Sequence, residues 1–262
     1  MGQKPRIIAV ANEKGGVGKT VTVINLGAAL SNSGKRVLIV DMDPQANATK
    51  GLGITVNENM KTVYDLIADS GSIDATDAVV NSQWRHLDVI PSHVDLSGAE
   101  VELVDRPGRE DCLKHALSEL SGDYDYVIID TPPSLSLLTV NVFAFAGEAL
   151  VPCQTHPYSF DALAELFHTV AVIRDSMNPN LVITGIVATF FDTRTRVSRR
   201  ILEKLQADPR YSELLFETVV RTNTTIADSA DAETPVVFFN PGSAGAADYC
   251  RLSEELDGRK KV

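Results

Sequence analysis

The segment from Gly15 to Thr20 has residue types and a spacing suited to binding phosphate. Its three glycines allow the backbone to bend, so that successive N–H groups point at phosphate oxygens. Lys19 would then reach the β- and γ-phosphates, and the Thr20 hydroxyl would ligate Mg²⁺. Glu13 stands where the usual G-x-x-x-x-G-K-[ST] pattern has its first glycine, and we call residues 13–20 the phosphate loop. The residues expected to bind the nucleotide are Gly15, Gly16, Val17, Gly18, Lys19, Thr20 and Val21.

Two aspartates follow apolar runs that read as strands, and both suit phosphate chemistry. Asp43 comes just after the run at 36–40, and Asp130 ends the run at 126–130. Because ligands of parallel sheets sit at the carboxyl ends of the strands, both side chains are expected beside the phosphate loop. A carboxylate there would hold Mg²⁺ through water or orient the attacking water. We therefore assign Thr20, Asp43 and Asp130 to the metal, and Asp43 also to hydrolysis.

These residues need a scaffold in which strands alternate with helices. The apolar run 7–11, the glycine loop, a helix over 21–30 and the run 36–40 make a complete βαβ unit. Because the strands are apolar throughout, we expect an α/β protein of the P-loop NTPase fold, with a mostly parallel sheet covered by helices on both faces. Further strands are predicted at 87–91, 126–130, 149–152, 182–189 and 215–220, and further helices at 108–120, 137–146, 160–176, 198–205, near 226 and at 246–256.

The composition fits one globular domain. Of the 262 residues, 44% are hydrophobic and 23% are charged, close to the average for soluble proteins. We expect a single domain over 1–257 and a short basic tail over 258–262. The chain lacks an apolar run of the roughly 20 residues that a membrane-spanning helix needs, and its start lacks a signal-peptide core, so a cytoplasmic protein is expected. The three cysteines and five histidines show no metal-binding spacing.

A cluster of cations stands out in this acidic chain. The net charge is −11, which excludes a protein coated with positive charge, but binding of nucleic acid depends on where the charge sits. A helix would place several of the clustered cations on one side, where they could contact DNA phosphates without reading bases. The cluster consists of Arg194, Arg196, Arg199, Arg200 and Lys204.

Three motifs, in this order along the chain, resemble those of the deviant Walker ATPases of the ParA and MinD group. KGGVGKT at 14–20 fits the variant phosphate loop, DMDPQANAT at 41–49 the Walker A′ segment, and VIIDTPPS at 127–134 Walker B. DPQANAT and FDTRTRVSRR, at 191–200, look most like the small chromosomal and plasmid ParA proteins. The motifs together are specific for this superfamily.

The resemblance implies ATP-dependent dimerisation, with two nucleotides held face to face between the subunits. Lys14 of each subunit would reach the phosphates in the other, while Lys19 would act within its own subunit. Both lysines are therefore assigned as nucleotide-binding and catalytic residues. Asp43 would position water for slow hydrolysis, Asp130 would support Mg²⁺ through its hydration shell, and Asp41 would assist more remotely. Glu13 would lie beside the dimer interface, where it could make a polar contact with the other subunit.

One stretch departs from the family pattern. Residues 221–225 resemble a segment near the adenine pocket that often reads Pro-Arg-Asn-x-Arg. Asn223 matches the Asn and is assigned to the nucleotide, but Thr222 and Thr225 replace both arginines, which leaves Arg221 as a substitute DNA contact. The absence of a long N-terminal extension favours the small ParA type over the larger one that carries an operator-binding domain.

The resulting expectation is a cytoplasmic, nucleoid-associated ATPase with ATP and Mg²⁺ as cofactors. Its ATP-bound homodimer would hold non-specific DNA, and a ParB-like or other cargo adaptor would stimulate hydrolysis. The cargo would be a chromosome, a plasmid or a protein assembly. The alternative is a MinD-like regulator that cycles on membranes, but MinD-like proteins end in a basic amphipathic helix and this chain ends in an acidic one. A third possibility is a metabolic enzyme built on the same nucleotide core.

Overall fold

A seven-stranded sheet organises the chain in the computed structural model, which describes residues 4–69 and 73–259. The order across the sheet is β3-β4-β2-β5-β1-β6-β7, and the pairs are parallel except for β3 with β4. The phosphate loop and both predicted acids therefore follow three adjacent central strands. The strands are β1 (Arg6–Val10), β2 (Val37–Asp41), β3 (Val80–Asn81), β4 (Leu87–Ile90), β5 (Tyr126–Asp130), β6 (Glu148–Gln154) and β7 (Val182–Thr189).

Helices cover both faces of this sheet. Within β2, Leu38 and Val40 enter one apolar layer while Val37 and Ile39 enter the other, as the alternation of side chains along a strand requires. Both layers are buried, so the predicted fold class is confirmed. The helices are α1 (Lys19–Asn32), α2 (Asn47–Gly51), α3 (Val63–Ala68), α4 (Leu96–Glu102), α5 (Cys112–Leu117), α6 (Leu137–Phe145), α7 (Ser159–Ser176), α8 (Arg196–Ala207), α9 (Thr224–Asp231), α10 (Val236–Phe239) and α11 (Ala244–Gly258).

Across the ranges 4–69 and 73–259, none of these helices combines the length and the apolar character needed to cross a bilayer.

The predicted strand at 215–220 is wrong. This stretch makes isolated parallel bridges instead, between Ile186 and Leu215 and between Phe191 and Arg221. Between the two bridges, the carboxylate of Glu255 on α11 accepts hydrogen bonds from the backbone N–H groups of residues 217 and 218, both at 2.9 Å. Those N–H groups are therefore diverted from the sheet by a residue that is distant in sequence.

The predicted helix at 108–120 is only partly present. It is divided into a 3₁₀ turn at Arg109–Asp111, the short α5, and a second 3₁₀ turn at Leu120–Asp123. Asn141 of α6 takes part in this break, since its Oδ1 accepts from the backbone N–H of Leu113 at 3.1 Å. The unpredicted elements β3, α2, α3, α4 and α10 have seven residues or fewer, too short for a clear periodic pattern.

Part of the predicted tail at 258–262 belongs to the folded chain. Gly258 is the last residue of α11, and the Arg259 guanidinium donates to the carbonyls of Thr184, Leu214 and Leu215. The same guanidinium lies 3.7 Å from the centre of the Phe216 ring. Residues 260–262 lie outside the described residues.

A buried ion pair fastens the start of the sheet to the end of the chain. Arg6 of β1 donates to both carboxylate oxygens of Glu148 on β6, at 2.8 and 2.6 Å, and its side chain is 10% exposed. The guanidinium also donates to the carbonyl of Leu256 in α11. This pair therefore joins β1, β6 and α11.

Arg6→Ala is expected to lower the free energy of unfolding by about 3–5 kcal/mol, because it removes one member of a buried, doubly hydrogen-bonded ion pair. Urea denaturation measures the change. Arg36→Ala is the matched control, since Arg36 pairs with Asp125 at 3.8 Å on the surface and is worth about 0–1 kcal/mol. Equal losses in the two variants would show that the buried pair does not fasten α11.

Candidate nucleotide-binding site

The phosphate loop joins the end of β1 to the start of α1. Its backbone N–H groups therefore lie at the positive end of a helix dipole, where anions bind. Gly16 and Gly18 have φ angles of 72° and 91°, in the left-handed region that favours glycine. The loop thus has the curvature that a phosphate cradle requires.

Lys19 holds this loop closed from within. Its side chain is buried, and its ammonium donates to the carbonyl oxygens of Asn12 at 3.0 Å and Lys14 at 3.3 Å. Burial lowers the pKa of Lys19, while the charges of Asp130 and Asp43 act against this shift. The structure therefore brings the predicted lysine and both predicted acids together.

Lys14 is held by its backbone, whereas its ammonium is uncommitted. The Lys14 N–H donates to Oδ1 of Asn12 at 2.9 Å, and Asn12 in turn donates to the carbonyl of Pro152 at 2.8 Å. In the part of the chain that the structure describes, the half-buried Lys14 side chain has no acidic partner within ion-pair distance. Glu13, by contrast, has an intrachain partner, because its Oε1 accepts from the Thr169 hydroxyl of α7 at 2.8 Å.

Asp41 and Asp130 lie side by side, paired in register at the ends of the parallel strands β2 and β5, and both are fully buried. Asp41 is well supplied with donors, since its Oδ2 accepts from the N–H and hydroxyl of Thr49 at 2.8 and 2.7 Å. Burial raises the pKa of Asp41 to about 6. Burial and the neighbouring Asp41 charge raise the pKa of Asp130 well above its usual range. A nearby cation would stabilise the ionised form of both carboxyl groups.

The residues around Asp130 fit Mg²⁺. Its Oδ2 accepts from the Thr20 hydroxyl at 2.7 Å, but its buried Oδ1 has no hydrogen-bond partner among the described residues. A magnesium ion on the Thr20 oxygen, with a water directed to Asp130, would satisfy that orphaned atom. Residues 4–69 and 73–259 contain no group of three His, Cys, Asp or Glu that could hold a metal alone. If Mg²⁺ binds here, phosphate oxygens and water would supply the other ligands.

Asp43 is fixed by its neighbours rather than left in solvent. Its Oδ1 accepts from the Gln45 N–H at 2.9 Å, and its carbonyl accepts from the Ser92 hydroxyl at 2.8 Å. The Ser92 N–H donates to the Thr49 hydroxyl at 3.0 Å, which connects Asp43 with Asp41. Our sequence reasoning missed Asn12 and Ser92 as supporting residues, and it used Thr49 only as part of the A′ motif.

A cavity of about 350 Å³ adjoins the phosphate loop at Gly18. Its walls include Val21, Phe190, Ile226 and Tyr249, so it is mainly apolar and suits a flat nucleobase, and we call it the base cavity. Asn223 also lines it and uses its Oδ1 to accept from the Thr225 N–H at the start of α9, at 2.8 Å. The amide NH₂ of Asn223 therefore remains to donate to a ligand.

Helix α9 lines this cavity, and the neighbouring α10 attaches it to the rest of the fold. Val236 donates its N–H to Oδ1 of Asn25 in α1 at 2.7 Å. Phe238 stacks on Trp84, with ring centroids 5.6 Å apart and planes within 5°. These contacts position α9, which contributes one wall of the cavity.

The predicted cation cluster lies on an exposed helix face. Ser198, Ile201 and Leu205 form the buried face of α8. Arg194, just before the helix, is 84% exposed and pairs with Asp192 at 3.0 Å. The cations on the outer face of α8, all exposed, are Arg196, Arg199, Arg200 and Lys204.

Arg221 is engaged elsewhere. Its guanidinium donates to the fully buried Asp248 at 2.7 and 2.9 Å, and Arg251 contacts the same carboxylate. Arg221 therefore forms a structural ion pair beside the base cavity. Its contact with DNA stays a prediction.

Comparisons with known proteins agree with this geometry. A family model of the AAA domain matches residues 5–183. The sporulation initiation inhibitor protein Soj of Bacillus subtilis is 39% identical over 96% of this chain and 98% of that protein. The chromosome partitioning protein ParA of Caulobacter vibrioides is 38% identical over 98% of this chain and 95% of that protein.

Solved structures resemble the whole chain. Cobyrinic acid a,c-diamide synthase from Mycobacterium smegmatis, with bound ADP and magnesium, gives a TM-score of 0.83 at 33% identity over 98% of both chains. The cell division ATPase MinD of Pyrococcus furiosus gives 0.77 at 25% identity over 96% of this chain and 98% of that one. The same synthase has also been solved with an ATP analogue and magnesium, so ATP and Mg²⁺ are confirmed as the predicted cofactors. With its phosphate loop, its paired strand-end acids and these relatives, the chain belongs to the ParA/Soj family of partitioning ATPases.

Proposed function

We propose that this protein is a nucleotide-gated dimer that holds DNA. Mg-ATP joins two copies, the dimer binds DNA non-specifically, and a partner protein stimulates hydrolysis and releases it. The observation that carries the proposal is the division of labour between two lysines. Lys19 is already fixed beside Asp130, whereas the Lys14 ammonium is free to reach phosphate outside its own subunit.

This arrangement would couple ATP binding to association. Lys14 would neutralise phosphate charge only when a second subunit approaches, so the ligand favours the dimer over the monomer. When bound, Mg²⁺ would draw charge from the β- and γ-phosphates. Asp43, held by the Gln45 N–H, would orient the attacking water. Since the motif offers no His or Glu as a strong base, we expect slow turnover until a partner intervenes.

The outer face of α8 is the proposed DNA contact. Arg196, Arg199, Arg200 and Lys204 have no ion pair among the described residues, so phosphate would not have to displace a carboxylate. Contacts of this kind give affinity that falls steeply with salt and does not depend on sequence. Bound in this way, the ATP dimer would be associated with the nucleoid.

The double variant Arg199→Ala/Arg200→Ala is expected to bind DNA more weakly, whatever the DNA sequence. The slope of the logarithm of DNA affinity against the logarithm of salt concentration should become shallower by roughly 0.9 for each phosphate that is no longer neutralised. Titration of labelled duplexes over a range of salt, with a non-hydrolysable ATP analogue, measures both effects. Arg85→Ala is the control, because the exposed Arg85 lies between β3 and β4, at the opposite edge of the sheet from β7. An unchanged slope in the double variant would remove α8 from the DNA interface.

The MinD-like alternative makes the opposite prediction. ATP-dependent co-sedimentation with liposomes, without ATP-dependent DNA binding, would replace our proposal with membrane cycling.

The proposed partner and cargo are a ParB-like adaptor with a chromosome or plasmid, or an adaptor of a protein assembly. Phosphate release with purified DNA and with a candidate adaptor tests whether both are needed for stimulation.

A further inference from the structure

Phe190, the residue that follows β7, has an unusual backbone and an unusual position. Its φ is 50°, in the left-handed region that a bulky side chain rarely adopts unless its surroundings enforce it. The residue is 41% exposed and lines the base cavity. The chain therefore keeps a strained, partly exposed aromatic residue at the nucleotide site.

On one side, this residue is attached to the phosphate loop. The Thr189 hydroxyl donates to the carbonyl of Val17 at 2.8 Å. A Cβ placed on Gly18 would lie 3.3 Å from Cε2 of Phe190, so the ring rests against that glycine. The positions of residues 189 and 190 therefore depend on the position of the phosphate loop.

On the other side, Phe190 is attached to the start of α8. Its carbonyl accepts from the Thr155 hydroxyl at 3.1 Å, and that hydroxyl lies 3.1 Å from Oγ of Ser198. Ser198 is buried in the first turn of α8, and its Oγ accepts from the Asp192 N–H at 3.4 Å. Two hydroxyl groups therefore connect the backbone of Phe190 to the helix that carries the exposed cations.

We propose that Phe190 stacks on the nucleobase and, as a positioning residue, transmits occupancy of the base cavity to α8. A base in the cavity would cover the exposed ring and hold the strained backbone in place. The Phe190 carbonyl would then keep Thr155 and Ser198 in register and orient the cationic face of α8. The second step rests on the proposed function, whereas the stacking step does not.

The test separates the ring from the backbone. Phe190→Asn removes the ring but keeps a residue that tolerates the left-handed region, and Phe190→Tyr keeps the ring. Phe239→Asn is the matched control, because Phe239 ends α10, is 42% exposed and does not line the base cavity. Each protein is titrated with Mg-ADP and with inorganic pyrophosphate, which has no base and also reports that the site is folded.

Phe190→Asn is expected to lose about tenfold in ADP affinity, the effect of one stacked base, with pyrophosphate affinity unchanged. Phe190→Tyr and Phe239→Asn are expected to match the unchanged protein. Equal losses for ADP and pyrophosphate, or no loss for ADP, would overturn the stacking step and the proposal with it.

DNA binding then tests the positioning step, with the non-hydrolysable ATP analogue at saturation and the dimer verified by size. Phe190→Asn is expected to lose at least half of the nucleotide-dependent gain in DNA affinity, and Phe190→Tyr to retain it. A saturated Phe190→Asn dimer that binds DNA like the unchanged protein would overturn the proposal. If the unchanged protein gains no DNA affinity with ATP, the proposed function fails, and the positioning step fails with it. The ADP and pyrophosphate titrations still decide whether Phe190 stacks on the base.

Discussion

Lys14→Ala is expected to bind ATP and yet remain a monomer. The variant keeps the glycines, Lys19 and Thr20, so the phosphate cradle within the subunit is intact. It lacks the cation that would reach the partner's phosphates, and truncating one member of a buried charge pair at an interface costs about 2–5 kcal/mol. A symmetric dimer has this pair on both sides of the seam, so the cost arises twice. Size-exclusion chromatography with light scattering, with the non-hydrolysable ATP analogue, measures the dimer.

The control for this variant is Lys114→Ala. Lys114 is an exposed lysine of α5 whose partner, Asp111, is on the surface, so its removal should leave the ATP dimer unchanged. ADP binding by Lys14→Ala should stay within about fivefold of normal, since a half-buried lysine that has no ion pair within the described part of its own subunit contributes little to binding within that subunit. A Lys14→Ala protein that still dimerises with ATP would show that the lysine does not act across the interface.

Asp43→Ala is expected to form the ATP dimer and to hydrolyse ATP about 10²-fold more slowly, the order of the loss when a reacting group is no longer held in position. The structure motivates this because Asp43 is held by the Gln45 N–H beside Lys19 and not in open solvent. Single-turnover phosphate release, combined with size measurement, separates the chemical step from dimerisation.

Asp43→Asn is the companion variant. Asn keeps an oxygen that accepts from Gln45 and removes only the charge, so it should be as slow as Asp43→Ala if the carboxylate acts on water. Recovery of turnover in Asp43→Asn would mean that Asp43 serves mainly to fix the loop. Turnover in Asp43→Ala at the normal rate would exclude a role in hydrolysis.

The phosphate loop could be predicted from sequence because its chemistry is local. The three glycines, Lys19 and Thr20 act within six residues, and the strand and helix on either side have clear patterns. The convergence of Asp43 and Asp130 could also be predicted, because parallel strands bring their carboxyl ends to one edge. The register of Asp41 with Asp130 could not, since pairing between strands is not written in either strand alone.

The base cavity could not be predicted from the sequence for a similar reason. Its walls come from α1, the end of β7, α9 and α11, so no single stretch has a recognisable pattern. Of its lining residues, Gly18 and Val21 were assigned with the phosphate loop, and Asn223 was assigned from the family resemblance. The predicted strand at 215–220 failed because Glu255 diverts two of its N–H groups, and Arg221 is engaged by the equally distant Asp248.

The stacking of Trp84 on Phe238 has a spectroscopic consequence. Trp84 is the only tryptophan of the chain, so the tryptophan fluorescence of the unlabelled protein comes from one place. That place is in contact with α10, which follows the helix that walls the base cavity. A change in how α9 and α10 sit when nucleotide enters would alter the quenching of a single fluorophore, and stopped-flow fluorescence could then time nucleotide entry without any label.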